Sequence, residues 1–216
     1  NNAPEYLQPD GPAPICFKHL TLDTSYHTEG ASVADINRDG RNDILTGDFW
    51  YQAPDWQRHK IRTPDFIGIR ILRPSDLIKA KLKGEKFSKW TGAYSDSFFS
   101  FPSDVNHDGW VDSIVLNLTT LGAYWYQNPG DSARQWQQHP IVEFTRNESP
   151  LFEDVLGNGT PQIITGNATK KVVNGDLFVL ELTGKSEPDE AFATTTIATS
   201  AITGNNGALS HSHGLG

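Results

Sequence analysis

Two nine-residue stretches carry the densest potential chemistry in this sequence. Asp35-Ile-Asn37-Arg-Asp39-Gly40-Arg41-Asn-Asp43 and Asp104-Val-Asn106-His-Asp108-Gly109-Trp110-Val-Asp112 share the spacing D-x-N-x-D-G-x-x-D. Calcium takes six to eight oxygen ligands at about 2.3–2.6 Å, and carboxylates on alternating positions of a tight turn aim several oxygens at one centre. Asp35, Asn37, Asp39 and Asp43 supply that set, with the backbone carbonyl of Arg41 to complete it and Gly40 to permit the turn. In the second loop the matching donors are Asp104, Asn106, Asp108, Asp112 and the Trp110 carbonyl, with Gly109 at the turn. Without a cation, three clustered carboxylates would repel one another uncompensated. An EF-hand needs a glutamate at loop position twelve, where this chain has Thr46 and Val115. Two calcium sites are therefore expected. A third copy, Asp154 to Gln162, keeps only Asp154 and Asn158 as side-chain ligands and is expected to stand without metal. Calcium held between strands would be structural and would couple affinity to folding.

A second set of titratable residues emerges on counting back from the first aspartate of each copy. Eight residues earlier lie His27, Asp96 and Arg146, with His211 in the same register; six earlier lie Glu29, Phe98 and Glu148, with His213 in register. Residues two apart share one face of a strand, so both columns would project together. Such a ring could bind a polar ligand, hold a transition metal or do acid–base work; the plainer expectation is a set of side chains facing water. Common catalytic signatures are missing: the sequence has no H-E-x-x-H, no P-loop, no dinucleotide fingerprint and no G-x-S-x-G. Ser32, in Gly30-Ala-Ser-Val-Ala34, reads as a packed strand residue, and Cys16 has no evident activating partner.

The acidic loops must be positioned by short strands. Each is preceded by a stretch such as Ala31-Ser-Val33-Ala and followed by a β-rich one such as Ile44-Leu-Thr46. A second motif travels with them: Trp50-Tyr-Gln-Ala-Pro54 with Trp56 and His59 recurs as Trp125-Tyr-Gln-Asn-Pro129 with Trp136 and His139. The tryptophan–tyrosine pairs read as packing between repeats rather than as a carbohydrate platform, and His59 and His139 as structural hydrogen-bonding groups. About four strands per unit of roughly 50–70 residues, with Gly and Pro punctuation and no helical periodicity, predict an all-β fold of propeller blades, each of four antiparallel strands.

The loops resemble the calcium-binding repeats of FG-GAP (VCBS-type) β-propeller proteins. The segments Tyr94 to Phe101, Asn147-Glu-Ser-Pro150 and His213-Gly-Leu-Gly216 are similar to a secreted bacterial subgroup of that family. The resemblance covers residues 17–216, after a lead segment 1–16, and implies about three blades plus the start of a fourth. With Gly214 aligned on Gly30, the next acidic loop would begin beyond residue 216. A family propeller commonly has seven blades, so the expectation is the N-terminal portion of a larger propeller, with a self-contained open or few-bladed module as the alternative. The insertion at about 62–92 lengthens the first repeat.

Composition agrees with a globular chain and narrows the partners. The 216 residues are 37% apolar and 20% charged, with a net charge of −8. That balance offers no attraction to nucleic-acid phosphates. The one basic run, Lys79, Lys81, Lys83, Lys86 and Lys89, reads as a solvated loop. No apolar stretch approaches the ~18 residues of a membrane span. A single cysteine excludes an internal disulfide, and Asn1 with no methionine anywhere points to a processed or cut chain. Weak calcium loops fill where calcium is abundant, which points to a secreted, periplasmic or cell-surface location. The expected function is a calcium-binding module that presents a surface to a glycan or an extracellular protein. The alternative, implied by similarity to propellers of polysaccharide lyases and a fungal sugar dehydratase, is a carbohydrate-active enzyme with its active site in the propeller's central channel, using His27, Glu29, Asp96, Arg146 and Glu148.

Overall fold

The computed structural model describes residues 17–24, 27–64, 66–67, 94–117, 122–132, 134–145, 149–166, 177–185 and 187–198. Within them the chain is all-β. Three four-stranded antiparallel sheets follow one another in sequence. The first contains β1 (Ser32–Ala34), β2 (Asp43–Leu45), β3 (Phe49–Gln52) and β4 (Gln57–Lys60) in that order. After a short pair, β5 (Phe66–Ile67) with β6 (Tyr94–Ser95), the second sheet orders β7 (Ser97–Ser103), β8 (Asp112–Asn117), β9 (Ala123–Gln127) and β10 (Gln137–Val142). The third orders β11 (Leu151–Glu153), β12 (Gln162–Gly166), β13 (Leu177–Leu182) and β14 (Phe192–Ala198), with a 3-10 turn at Pro188–Glu190 before its last strand. Each acidic loop joins the first two strands of its sheet, as the sequence predicts.

The side-chain alternation of a strand distributes the middle sheet between two cores. From β8, Ile114 and Leu116 pack with Ile163, Phe178 and Leu180 of the third sheet, whereas Val115 packs with Ile36, Leu45, Trp50 and Ile61 of the first. Neighbouring Trp125 and Tyr126 on β9 divide in the same way. All six residues of β8 are buried, which is the pattern of a strand covered on both faces. By contrast β4, the last strand of the first sheet, shows mostly exposed residues. The first strands β1 and β7 lie against each other, and the Gly30 amide donates to the Phe98 carbonyl at 3.0 Å. Trp50 and Trp125 are accordingly core residues, whereas Trp56 and Trp136 are half-buried. Trp50 stacks on His59 with centroids 4.2 Å apart, and Trp125 on His139 at 4.4 Å. Both are cross-strand partners in register.

Candidate functional site

The three acidic loops adopt one turn despite their different side chains. Position four has positive φ in every copy, at Arg38 (61°), His107 (59°) and Gly157 (66°), and so does the glycine at position six (84°, 87° and 84°). The αL conformation at position six favours glycine, and three glycines stand there. The first aspartate organises each turn by accepting from two amides. Asp35 takes those of Asp39 (3.0 Å) and Gly40 (2.9 Å). Asp104 takes those of Asp108 and Gly109 at 3.1 and 2.9 Å, and Asp154 those of Asn158 and Gly159 at 2.9 and 2.8 Å. Asn37 and Asp39 are likewise linked, with the Asn37 amide donating to Asp39 at 3.2 Å; Asn106 and Asp108 repeat this at 2.9 Å. Position five caps the following turn, Asp39 accepting from Arg41 N–H and Asp108 from Trp110 N–H, both at 2.9 Å.

The ninth position explains why two motifs travel together. Asp43 is fully buried; its carboxylate accepts from the Ile36 amide at 3.0 Å and from the Ala53 amide at 2.9 Å. Asp112 does the same with Val105 (3.0 Å) and Asn128 (2.7 Å). Ala53 and Asn128 are the residues before the prolines of the two Trp-Tyr-Gln-x-Pro segments. The carboxylate thus ties the acidic loop to the end of the third strand, a link that sequence spacing alone does not reveal. Each carboxylate oxygen keeps a further lone pair for another donor or a cation. Burial pushes the Asp112 carboxyl up to about 7; the Asn128 and Val105 amides oppose this, while the charges of Asp108 and Asp104 add to it.

In the third loop a side-chain amide stands where the others have a carboxylate. Gln162 is 1% exposed, and its Oε1 accepts from the Val155 amide at 3.0 Å, the same position-two bond that the ninth-position aspartates make, and from the Leu156 amide at 3.1 Å in place of their bond to the third strand. Its Nε2 donates to Asn158 Oδ1 at 3.2 Å and to the Thr160 carbonyl. Those two oxygens occupy positions five and seven, equivalent to the Asp39 side chain and Arg41 carbonyl of the first loop, and to Asp108 and the Trp110 carbonyl of the second. An ionised carboxylate has no N–H to offer there. The donor set of the first two loops is all oxygen and fits a hard cation such as calcium. Among the described residues, no three His, Cys, Asp or Glu side chains form a group that could hold a metal. A cation in these loops would accordingly draw on the amide and main-chain oxygens as well.

The two histidine–carboxylate columns are placed differently from each other. His27 and Glu29 precede β1 rather than lying within it, and Asp96 occupies the bend between β6 and β7. His27 Nε2 lies 3.3 Å from Asp23, and its ring packs edge-on against Phe49 at 4.8 Å. Asp23 also accepts from Tyr51 (3.1 Å) and Arg58 (2.8 Å), joining the segment before β1 to β3 and β4. Burial and the Asp23 carboxylate push the Tyr51 phenol up to about 12. Asp96 is 7% exposed and forms an ion pair with Arg62, which also bonds Asp48 through Nε at 2.6 Å and Tyr126 at 3.3 Å. Burial raises the Asp48 pKa, with Arg62 opposing it, and Asp48 Oδ2 has no hydrogen-bond partner. Burial alone would lower the Arg62 pKa, but the hydrogen bond to Asp96 and the surrounding charges raise it. Asp96 is therefore part of a buried charge cluster where the first two sheets meet. Phe98 is buried at 5% exposure. Arg146, Glu148, His211, His213, Cys16, the lead segment 1–16, the lysine run and most of the 62–92 insertion lie outside the described residues.

Fold and loops together define an all-β protein of successive four-stranded antiparallel sheets. Comparison with family models, with curated proteins and with solved structures gives no match. Among the described residues no helix is long and apolar enough to cross a membrane.

Proposed function

We propose that this chain is a calcium-stabilised segment of a β-propeller, each sheet a blade, acting outside the cell as a ligand-binding scaffold for a glycan or protein. The observation that carries the reading is the shared turn. Three loops have one backbone; the third is closed by the Gln162 amide, whereas the first two have at position nine a carboxylate with no N–H to give, and position five receives the side-chain amide of Asn37 or Asn106 from its own loop. Calcium would be held by Asp35, Asn37, Asp39, Asp43 and the Arg41 carbonyl in the first loop. In the second it would be held by Asp104, Asn106, Asp108, Asp112 and the Trp110 carbonyl. The ion would neutralise clustered carboxylates that otherwise oppose folding. The chain's own residues shape the loop: the first aspartate fixes the turn through two amides, and the ninth anchors it to the third strand. Thermal melting in calcium and in chelator tests this. The wild type should melt higher in calcium, and Asp39→Ala should melt lower in calcium and lose the share of the difference that the first loop contributes, the second loop keeping the rest. Identical wild-type melts in the two conditions would sink the proposal.

A further inference from the structure

The seams on the two sides of the middle sheet are built alike but finished differently. In each, the stacked tryptophan–histidine pair of one sheet faces the loop joining the third and fourth strands of the next. Between the second and third sheets that loop carries the 3-10 turn Pro188–Glu190, which lies against β10. Ala191 just after it is 2% exposed and packs in the same core as Trp125, which is fully buried. Between the first and second sheets the corresponding loop leaves a cleft of about 350 Å³ beside Trp50 and His59. That volume lies within the usual ~300–1,000 Å³ of small-molecule sites.

Aromatic surface and cationic groups meet in this cleft. Trp110 and Trp136 line it and are half-buried, so part of each indole remains accessible. Trp110 is held in place by the Arg38 guanidinium 5.2 Å from its ring, and by Gly130, where a Cβ would come within 2.8 Å of the indole. Exposed Lys60 and Arg134 stand on the lining with Asp131 as the opposing charge, in a chain whose net charge is −8. An indole offers an apolar face with a polar edge, which suits the C–H face and hydroxyl rim of a pyranose. Lysine and arginine suit a carboxylate.

We propose that the cleft between the first and second sheets is a subsite for an acidic oligosaccharide, its sugar ring on the Trp110 and Trp136 indoles and its uronate on Lys60 and Arg134. This rests on the reading of the chain as a ligand-binding module. The test titrates a hyaluronan tetrasaccharide into the full chain in calcium, following tryptophan fluorescence, with chitotetraose as the neutral comparator. A saturable change is expected with the acidic sugar. Affinity should fall at least tenfold in the Lys60→Ala/Arg134→Ala variant, whose substitutions are exposed, and also in Trp136→Phe, which keeps a ring in the packing. No saturable response in the wild type, an equal response to chitotetraose, or an unchanged affinity in the double variant overturns the subsite. Melting with calcium and chelator is recorded on the same samples. An intact calcium dependence with no sugar response refutes the subsite alone, whereas a missing calcium dependence refutes the module reading.

Discussion

Replacing Gln162 by glutamate changes one amide nitrogen to an oxygen at a site that is 1% exposed. Two donations are lost, to Asn158 Oδ1 and to the Thr160 carbonyl, and a carboxylate now faces two oxygens. Leaving a buried polar group unpaired costs about 1–3 kcal/mol. The pair of lost bonds should therefore destabilise the chain by about 3 kcal/mol, or roughly 6–12 °C in melting temperature for a domain of this size. That deficit is expected in chelator. In millimolar calcium at least half of it should be recovered, because the new carboxylate restores an acid at position nine beside Asp154, Asn158 and the Thr160 carbonyl. Gln162→Leu, which removes the amide and adds no acid, should be destabilised equally in both conditions. Differential scanning calorimetry at neutral pH reads all three proteins. An unchanged melt of Gln162→Glu in chelator would refute the closing role of the amide. A deficit that calcium does not touch would refute the equivalence between its position and that of a cation.

Arg62→Met leaves Asp48 and Asp96 buried without their cation and should cost about 3–5 kcal/mol; adding Asp48→Asn should recover part of this, and equal urea midpoints for the wild type and the single variant would contradict it. Burial lowers the His139 pKa, with Asp189 opposing, so the unfolded chain protonates at a higher pH than the folded one and stability should fall as pH drops below about 6.5. His139→Gln should lose less stability than the wild type between neutral and acid pH, as measured by urea unfolding; parallel losses would speak against a buried neutral imidazole. In an alkaline absorbance titration Tyr51 should titrate near 12, with Tyr126 also raised by burial, and Tyr51→Phe should shrink the late absorbance change by one tyrosine. Trp125→Ala should cost about 3–5 kcal/mol by emptying a fully buried site, and a loss below about 1 kcal/mol would deny Trp125 its place in the core.

Much of the architecture can be read from spacing because a repeated motif samples the same environment several times. Two copies of D-x-N-x-D-G-x-x-D, each between short apolar stretches, locate the turns that join the first and second strands, and the recurring Trp-Tyr-Gln-x-Pro locates the third strand. In the sequence the partnership between them is visible only as coincidence. Its cause, the Asp43 and Asp112 carboxylates reaching the Ala53 and Asn128 amides, depends on a tertiary contact that leaves no periodic signal. Counting back from the loops places His27 on the first strand only if that strand extends so far. The strand begins at Ser32, and Asp96 is drawn instead into the charge cluster of Arg62 and Asp48. Asp48 and Arg62 lie outside both repeated motifs, so neither register nor composition marks them. The role of Gln162 is legible in principle, since glutamine at position nine offers both an acceptor like that of aspartate and a donor of its own.

Calcium titration by calorimetry, on chain first stripped with chelator, bears most directly on the cation loops. Two equivalents per chain are predicted, falling to one in either Asp39→Ala or Asp108→Ala and remaining two in Asp154→Ala. No binding heat, or a stoichiometry that those first two substitutions leave unchanged, would contradict the assignment of calcium to these loops.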